Sequence, residues 1–368
     1  MQEGLTRGVC PASAYSRLLF QAACLFFGSV FMKKEKTNRI ILAGLFLGLI
    51  ALVIGSVALG RYPIGLKELF GILASRLAPI EPFWTKTQEA LLLNHRLPRV
   101  VLACMVGICL SAAGASYQGV FQNPMASPDI LGASSGAAFG AALEILLGMN
   151  SAMTVAFAFA GSLLTVGLVI FTGRRTRGKR SLGLILSGIL IGSLVSSGTS
   201  FVKLVADPAE QLPAITYWLM GSLNGTAPKD VWFAAVPMGL GLCLLFLLRW
   251  RINVLTLGDE EARAIGVHAG HLRMAVILCA TLITAASVAV SGVIGWVGLV
   301  IPHLTRKIVG SDYRYLLPAS ALFGGIFLLV ADDISRNLLA TEIPLGILTA
   351  LIGAPLFLFL MVKDGERS

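Results

Sequence analysis

Charged residues are scarce in this chain, and the sequence patterns of several enzyme classes are missing from it. Only 13% of its 368 residues are charged, whereas 56% are hydrophobic. This balance excludes an ordinary soluble domain and is typical of a polytopic helical membrane protein. The sequence contains neither an HExxH nor a Walker A pattern, so nothing in it indicates a zinc protease or a nucleotide site on this chain.

Cysteine pairs and nucleic-acid motifs are missing as well. The cysteines have no CxxC spacing, and most lie inside apolar runs, so we interpret them as small packing residues rather than disulfides or metal ligands. They are Cys10, Cys24, Cys104, Cys109, Cys243 and Cys279. The formal net charge is +10, but the basic residues cluster at the ends of apolar runs. Membrane orientation and anionic headgroups explain that clustering better than nucleic acid does.

Long uncharged runs predict an all-α fold of ten transmembrane helices. The run Met274–Thr305 is too long for one span and short for two full ones, and it contains Gly292, Gly295, Gly298 and Pro302. We therefore predict one full helix, a turn and one shorter helix within it. The other eight predicted spans are Ile40–Leu59, Val100–Gln122, Ile130–Leu147, Ser151–Thr172, Ser181–Val202, Val231–Leu248, Tyr315–Ala331 and Ile343–Val362.

The domain organisation is simple apart from the N-terminus. We interpret residues 1–38 as a doubtful extension and lead-in, with the true start at Met32, which lysines and a long apolar run follow. We interpret residues 39–363 as a single membrane domain with a charged insert at 256–273. The basic block Arg174–Arg180 favours the cytoplasm, and counting spans from it places both termini there.

Two parts of the chain resemble each other weakly. Arg99 begins a span rich in small residues that breaks near Asn123-Pro124, and Arg273 begins another that breaks near Ile301-Pro302. The two cross in opposite directions, which is the pattern of an inverted repeat in a transporter.

Three features favour other kinds of protein. Asp332-Asp333, with Glu342 nearby, has the look of a paired-carboxylate site of a membrane enzyme, although a polar cap on a span explains it better. His268 and His271 stand three residues apart, as a metal pair can, but they lack a third ligand at a suitable spacing. Glu144 is a candidate relay for an ion-coupled secondary transporter. These alternatives, a membrane enzyme and a secondary transporter, stay open.

The insert Leu257–Arg273 is the main charged segment between apolar runs. It contains the pattern EAxxxG at Glu261–Gly266. We predict a short helix that starts with acidic residues and ends at a glycine turn. Such a knob can transmit the rigid-body motion of a partner protein to the membrane helices.

Six stretches in order resemble the permease family of iron-siderophore, haem and cobalamin ABC importers. They are RLPR (Arg96–Arg99), QGVFQNPMASPDILG (Gln118–Gly132), YWLMGSL (Tyr217–Leu223), LGDEEARAIGV (Leu257–Val267), SGVIGWVGLVIPHLTR (Ser291–Arg306) and EIPLGILTALIGAPLFLFLM (Glu342–Met361). Residues 1–31 have no counterpart in that pattern. The resemblance implies a type II import fold in the cytoplasmic membrane.

By that resemblance, the chain is a transport subunit and not an enzyme. It implies a homodimer, or a heterodimer of two such permeases, together with two cytoplasmic ATPases and one extracytoplasmic substrate-binding protein. Lipid surrounds it, and no nucleic acid is involved. The chain itself binds no cofactor, since ATP and Mg²⁺ belong to the ATPase. An iron-siderophore is the first candidate substrate, with haem and cobalamin next and a metal oxyanion further back.

The resemblance also implies roles for single residues. Residues expected to contact the ATPase are Asp259, Glu260, Glu261, Ala262, Arg263 and Gly266. Residues expected to dock the binding protein are Arg96, Arg99 and Arg336, because an arginine fork pairs well with carboxylates. Residues expected to line the translocation path are Ser187, Ser193, Ser196, Ser197, Thr199 and Ser200 of the fifth span.

Overall fold

The computed structural model describes residues 12–365 apart from 61, 63, 77–78, 80, 177–179 and 265, without the side chains of 12–34, 180 and 364–365. Within this part the chain is helical and has no strand, as predicted. The helices are α1 Ala12–Ala58, α2 Leu66–Ala74, α3 Lys86–Leu91, α4 Leu97–Phe121, α5 Ala133–Leu147, α6 Ser151–Arg175, α7 Arg180–Val205, α8 Gln211–Leu219, α9 Pro228–Leu257, α10 Asp259–Ala264, α11 Ala269–Ser291, α12 Val297–Val309, α13 Tyr313–Asn337 and α14 Leu345–Gly365. The interpretation of residues 1–31 falls partly outside the described residues, and the start at Met32 stays a prediction.

The predicted set of ten spans agrees with these helices. Among the described residues, eight helices are long and apolar enough to cross a membrane. The remaining two predicted spans correspond to α5, with 15 residues, and α12, with 13 residues. At 1.5 Å per residue both are shorter than the hydrocarbon core of about 30 Å. The predicted long helix, turn and short helix between Met274 and Thr305 are confirmed as α11, the turn and α12.

Two long helices, α4 and α11, form the centre of the bundle. Each span contains an apolar stretch, and we compare how much of that stretch is buried inside the protein. The buried share is 78% in the span that includes α4 and 72% in α11, against 17–33% in five peripheral spans. Glycines allow the close approach. A Cβ on Gly107 would lie 2.3 Å from the Gly324 carbonyl oxygen, and one on Gly114 would lie 1.7 Å from that of Gly298. The backbones of α4, α12 and α13 are therefore in direct contact.

Each central helix is followed by a break and then by a short helix. The α4 break begins at Gln122, a non-glycine residue with φ +52°. The predicted second break at Ile301-Pro302 is wrong, because the chain turns between Gly292 and Trp296, and Pro302 lies inside α12. Pro302 has no amide to bond the Gly298 carbonyl, and that carbonyl packs against α4 instead. The inverted repeat itself stays a prediction.

The second membrane helix starts earlier than predicted. A capping box of Thr85 and Gln88 begins α3, and a π-helical turn at Leu92–Arg96 joins α3 to α4. The RLPR sequence, predicted to precede the span, is thus part of one helical segment that enters the bundle. We call the end of the bundle near Arg99 the arginine end, and the opposite end the α10 end.

Candidate functional site

Helix α10 forms a compact knob between α9 and α11. Gly258, with φ +127°, turns the chain away from α9. At the other end, the Gly266 amide donates to the Arg263 carbonyl at 2.9 Å. The Val267 amide donates to the Ala262 carbonyl at 2.9 Å, which completes a Schellman turn. Gly266 has φ +78°, a conformation that favours glycine. The predicted short helix ending at a glycine turn is therefore confirmed.

Two of the predicted coupling residues fasten α10 to the bundle. Asp259 Oδ1 lies 2.7 Å from Arg273 Nη2, and the Arg273 side chain is only 6% exposed. Ala262 is fully buried. Because Arg273 lies near the start of the central helix α11, this ion pair ties α10 to a helix at the centre of the bundle. Sequence reasoning placed Arg273 in the insert but missed this role. Its position at the start of the apolar run was the available signal.

The remaining coupling residues face solvent. Glu260, Glu261, Arg263 and Gly266 are exposed. The two carboxylates stand in the first turn, where the helix dipole favours negative charge. Together with the tether through Asp259, they make α10 a rigid knob with an acidic outer face.

A cleft of about 540 Å³ connects the coupling knob with the proposed path helix. It is lined by Phe121, Gln122, Ser181, Leu182, Ile185, Asp259, Glu260, Glu261 and Arg273. The end of α4 is fixed here, because Gln122 Nε2 donates to the Leu255 carbonyl at 2.6 Å. The start of α7 thus lies across this cleft from α10.

At the arginine end, the three predicted docking arginines lie around one cleft in a group of charged side chains, here called the arginine cluster, in which Arg99 and Arg336 form ion pairs. Arg99 Nε donates to Asp332 Oδ1 at 3.0 Å, and Arg99 Nη1 donates to Glu342 Oε1 at 2.9 Å. Arg336 Nε lies 3.0 Å from Asp332 Oδ2, and Arg336 also pairs with Asp333. The cluster consists of Arg96, Arg99, Arg336, Asp332, Asp333 and Glu342.

These arginines are buried, at 6% exposure for Arg96 and 9% each for Arg99 and Arg336. Arg96 donates to the backbone carbonyls of Val57 and Ala58 at 3.2 and 3.1 Å, which secures the end of α1. The cluster thus joins α1, α4, α13 and the segment before α14. A cleft of about 270 Å³ opens onto it.

The docking role of the arginines stays a prediction. In the structure each of the three side chains already bonds to groups of this chain, namely backbone carbonyls for Arg96 and carboxylates for Arg99 and Arg336. Exposed basic residues between α1 and α4 that sequence reasoning did not single out are Lys67 and Lys86. No sequence signal distinguished them from the arginines, because burial decides which cations are accessible.

The predicted path residues on α7 separate into two groups. Ser187 and Thr199 are buried, at 8% exposure each, so they pack against neighbouring helices and do not reach a path in this chain. The other four, Ser193, Ser196, Ser197 and Ser200, are exposed. Two of them bond back to the helix, with Ser197 Oγ 3.0 Å from the Ser193 carbonyl and Ser200 Oγ 3.1 Å from the Ser196 carbonyl. Large exposed side chains lie on the same helix, including Leu190 and Leu194, which are 71% and 72% exposed.

The residues behind the alternative functions have local partners. Glu144 is 2% exposed and accepts a hydrogen bond from the Thr154 hydroxyl. Asp332 and Asp333 are ion-paired within the arginine cluster. No group of three or more His, Cys, Asp and Glu side chains able to hold a metal occurs among the described residues.

A serine motif at the start of α5 has no catalytic geometry. Gly132–Gly136 reads GASSG and matches the GxSxG spacing of a nucleophile elbow. A 3₁₀ turn rather than a strand precedes it, and Ser134 bonds to Asp129. This arrangement does not expose a serine as the elbow requires.

Comparisons with known proteins agree on one family. The model of the FecCD transport family matches residues 48–363. The chain is 38% identical over 327 residues to the molybdate import system permease protein MolB of Haemophilus influenzae, covering 88% of this chain and 95% of that protein. It is 38% identical over 340 residues to the hemin transport system permease protein HmuU of Yersinia pestis, covering 89% and 97%. Among solved structures, it is similar to an inward-facing metal-chelate type ABC transporter, with a TM-score of 0.79, 38% identity and coverage of 88% of this chain and 99% of that one.

Proposed function

Because this chain belongs to the FecCD transport family, we propose that it is the permease subunit of an ATP-driven importer that moves a metal chelate across the cytoplasmic membrane. An iron-siderophore is the first candidate substrate, with haem, cobalamin and a metal oxyanion such as molybdate as the alternatives. The relatives for molybdate and hemin are equally similar, at 38% identity each, so identity does not rank these substrates.

The observation that carries this proposal is the geometry of α10. A rigid, capped helix presents exposed Glu260 and Glu261 and is tied by Asp259 to a central helix. Such a knob is suited to transmit rigid-body motion from a partner. The sequence has no Walker A motif, so ATP and Mg²⁺ belong to separate ATPase subunits, and we expect no cofactor on this chain.

The exposed surface of α7 supports a second permease copy as a partner. The apolar stretch of α7 is only 28% buried, and its exposed face mixes leucines with the hydroxyls of Ser193 and Ser196. We propose a homodimer in which the two α7 helices line the path. Two ATPases bind at the α10 end, which faces the cytoplasm together with both termini. One binding protein docks at the arginine end.

An ion-coupled secondary transporter is the second candidate, because Glu144 is a buried carboxylate inside the bundle. Uptake by vesicles separates the two candidates. ATP-dependent, vanadate-sensitive uptake with a co-purifying ATPase supports the importer, whereas uptake driven by a proton gradient without ATP supports the second candidate. Iron-siderophore, haem, cobalamin and molybdate are supplied in separate assays to identify the substrate.

The coupling role is tested with Glu261→Lys and Gly266→Val. A Cβ on Gly266 meets nothing within 4 Å, so the Cβ of the valine strains the backbone of the turn without a clash. We expect both variants to fold and to retain ATP hydrolysis by the complex while uptake is lost. Gly148→Val is the matched control, because Gly148 also ends a helix with positive φ, at +66°, and has open space around it. Normal uptake by either α10 variant refutes the coupling role.

A further inference from the structure

A second cleft at the α10 end lies between α9 and α11 and has a volume of about 610 Å³. We call it the α9–α11 cleft. It is lined by Leu248, Trp250, Arg251, Gly266, Val267, His268, His271, Leu272 and Ala275. It shares no lining residue with the acidic cleft beside Glu260 and Glu261, so the two clefts present different chemistry.

The α9–α11 cleft is surrounded by cationic and N–H-bearing side chains. An adjoining cavity of about 360 Å³ shares His268 and His271 and adds Arg174 and Arg263. No acidic residue lines either cavity among the described residues. Arg174, Arg251 and Arg263 are exposed, and none of them forms a salt bridge with another described residue. A phosphate group would therefore meet compensating charge here, and each histidine can donate an N–H in either protonation state.

An apolar track leads away from this cationic mouth along α9. Leu240, Leu244 and Leu247 are 56%, 39% and 72% exposed, and their spacing of three and four residues places them on one face of the helix. Trp250, 57% exposed, follows on the same helix at the mouth. Tryptophan is enriched at the headgroup level of membranes. The order along α9 is thus apolar track, tryptophan and arginine, which is the order of acyl chain, interface and headgroup.

We propose that the α9–α11 cleft binds one anionic phospholipid. Arg251 and His271 contact the headgroup phosphate, Trp250 lies at the interface, and an acyl chain follows the leucines of α9. Basic pockets between membrane helices bind such headgroups through charge complementarity. The apolar track favours a lipid over a free phosphate ion, because a phosphate ion has no acyl chain to contact the leucines.

Quenching by brominated lipids tests this site in the full-length protein. The chain is reconstituted with brominated phosphatidylglycerol or brominated phosphatidylcholine, and Trp250→Phe isolates the signal of Trp250 by difference. Trp232, at the opposite end of α9 and 75% exposed, is the matched reporter through Trp232→Phe. We expect Trp250 to prefer phosphatidylglycerol and Trp232 to show a weaker preference.

The cationic mouth is tested by a neutral variant. Removing one Arg near the surface weakens the binding of an anionic lipid by about fivefold, so Arg251→Gln should lower the phosphatidylglycerol preference by about that factor. Arg249→Gln is the matched control, because Arg249 is exposed on the same helix but does not line the cleft. High salt should reduce the preference of the unmodified chain.

Several results would overturn the proposal. Equal quenching of Trp250 by both lipids means that the cleft does not select charge. Loss of the preference on adding inorganic phosphate, but not on adding chloride at the same ionic strength, identifies a small-anion site instead. Loss on adding the ATPase subunits shows that a protein partner covers the cleft. None of these outcomes depends on uptake, so the proposal fails or stands separately from the proposed transport function.

Discussion

The arginine cluster makes a quantitative prediction about Asp332. This carboxylate is fully buried and pairs with both Arg99 and Arg336. With three arginines and three carboxylates, the cluster has no net charge. Asp332→Asn therefore leaves one positive charge uncompensated in the protein interior. Breaking a buried ion pair by removing one partner costs about 3–5 kcal/mol. Because Arg99 keeps Glu342 and Arg336 keeps Asp333, we expect the lower end, about 3 kcal/mol.

Unfolding in mixed detergent micelles, followed by circular dichroism, measures this free energy. Glu342→Gln is the matched control, since it also removes one carboxylate from Arg99 but its side chain is 28% exposed. Solvent screens that pair, so we expect a loss of about 1 kcal/mol or less. The two variants should thus differ by about 2 kcal/mol. Equal stability of Asp332→Asn and the unmodified chain would refute the compensating role of the cluster.

Three further predictions concern packing, coupling and the path. Gly114→Ala should lower the free energy of unfolding by at least about 1–3 kcal/mol, because its Cβ would lie 1.7 Å from a carbonyl oxygen of α12; Gly167→Ala, with nothing within 4 Å, should be neutral or slightly stabilising, and equal losses would contradict the packing argument. Arg273→Gln should keep ATP hydrolysis by the complex and lower the uptake per ATP, measured in proteoliposomes, because the tether to α10 is lost; an unchanged ratio would show that the ion pair transmits nothing. Ser196→Leu should reduce uptake without a loss of stability, whereas the buried Ser187→Leu should reduce stability; the reverse pattern would move the path to another face of α7.

Most of the fold could be predicted from composition and hydropathy. A membrane core offers no water to backbone groups, so long apolar runs must form helices, and their lengths are visible in the sequence. The uncharged run Met274–Thr305 is too long for one span and contains several glycines, so it predicted a long helix, a turn and a short helix. The position of that turn was harder to predict. Proline breaks many helices, but Pro302 lies inside α12, and the Gly298 carbonyl that it leaves unbonded lies against Gly114.

In the candidate site, too, local features could be predicted from the sequence and long-range contacts could not. The acidic start and glycine end of α10 are local features, so the pattern Glu261–Gly266 was sufficient to predict a capped helix. Its tether depends on Arg273, which reaches back over another segment of chain, and no spacing rule specifies that contact. The arginines of RLPR were predicted as accessible cations, yet Arg99 is buried against carboxylates more than two hundred residues later in the sequence, and Arg96 bonds to backbone carbonyls at the end of α1.

The sequence by itself determined that the chain is a helical membrane protein, where its spans lie, and that a capped acidic helix interrupts them. These are consequences of local hydropathy and backbone chemistry. Only the tertiary structure decided which polar side chains are accessible: it buries Arg99 and Ser187, exposes Ser196 and joins α10 to α11. Burial depends on which helices become neighbours, and the apolar character that makes a segment cross the membrane does not specify the face it presents to them.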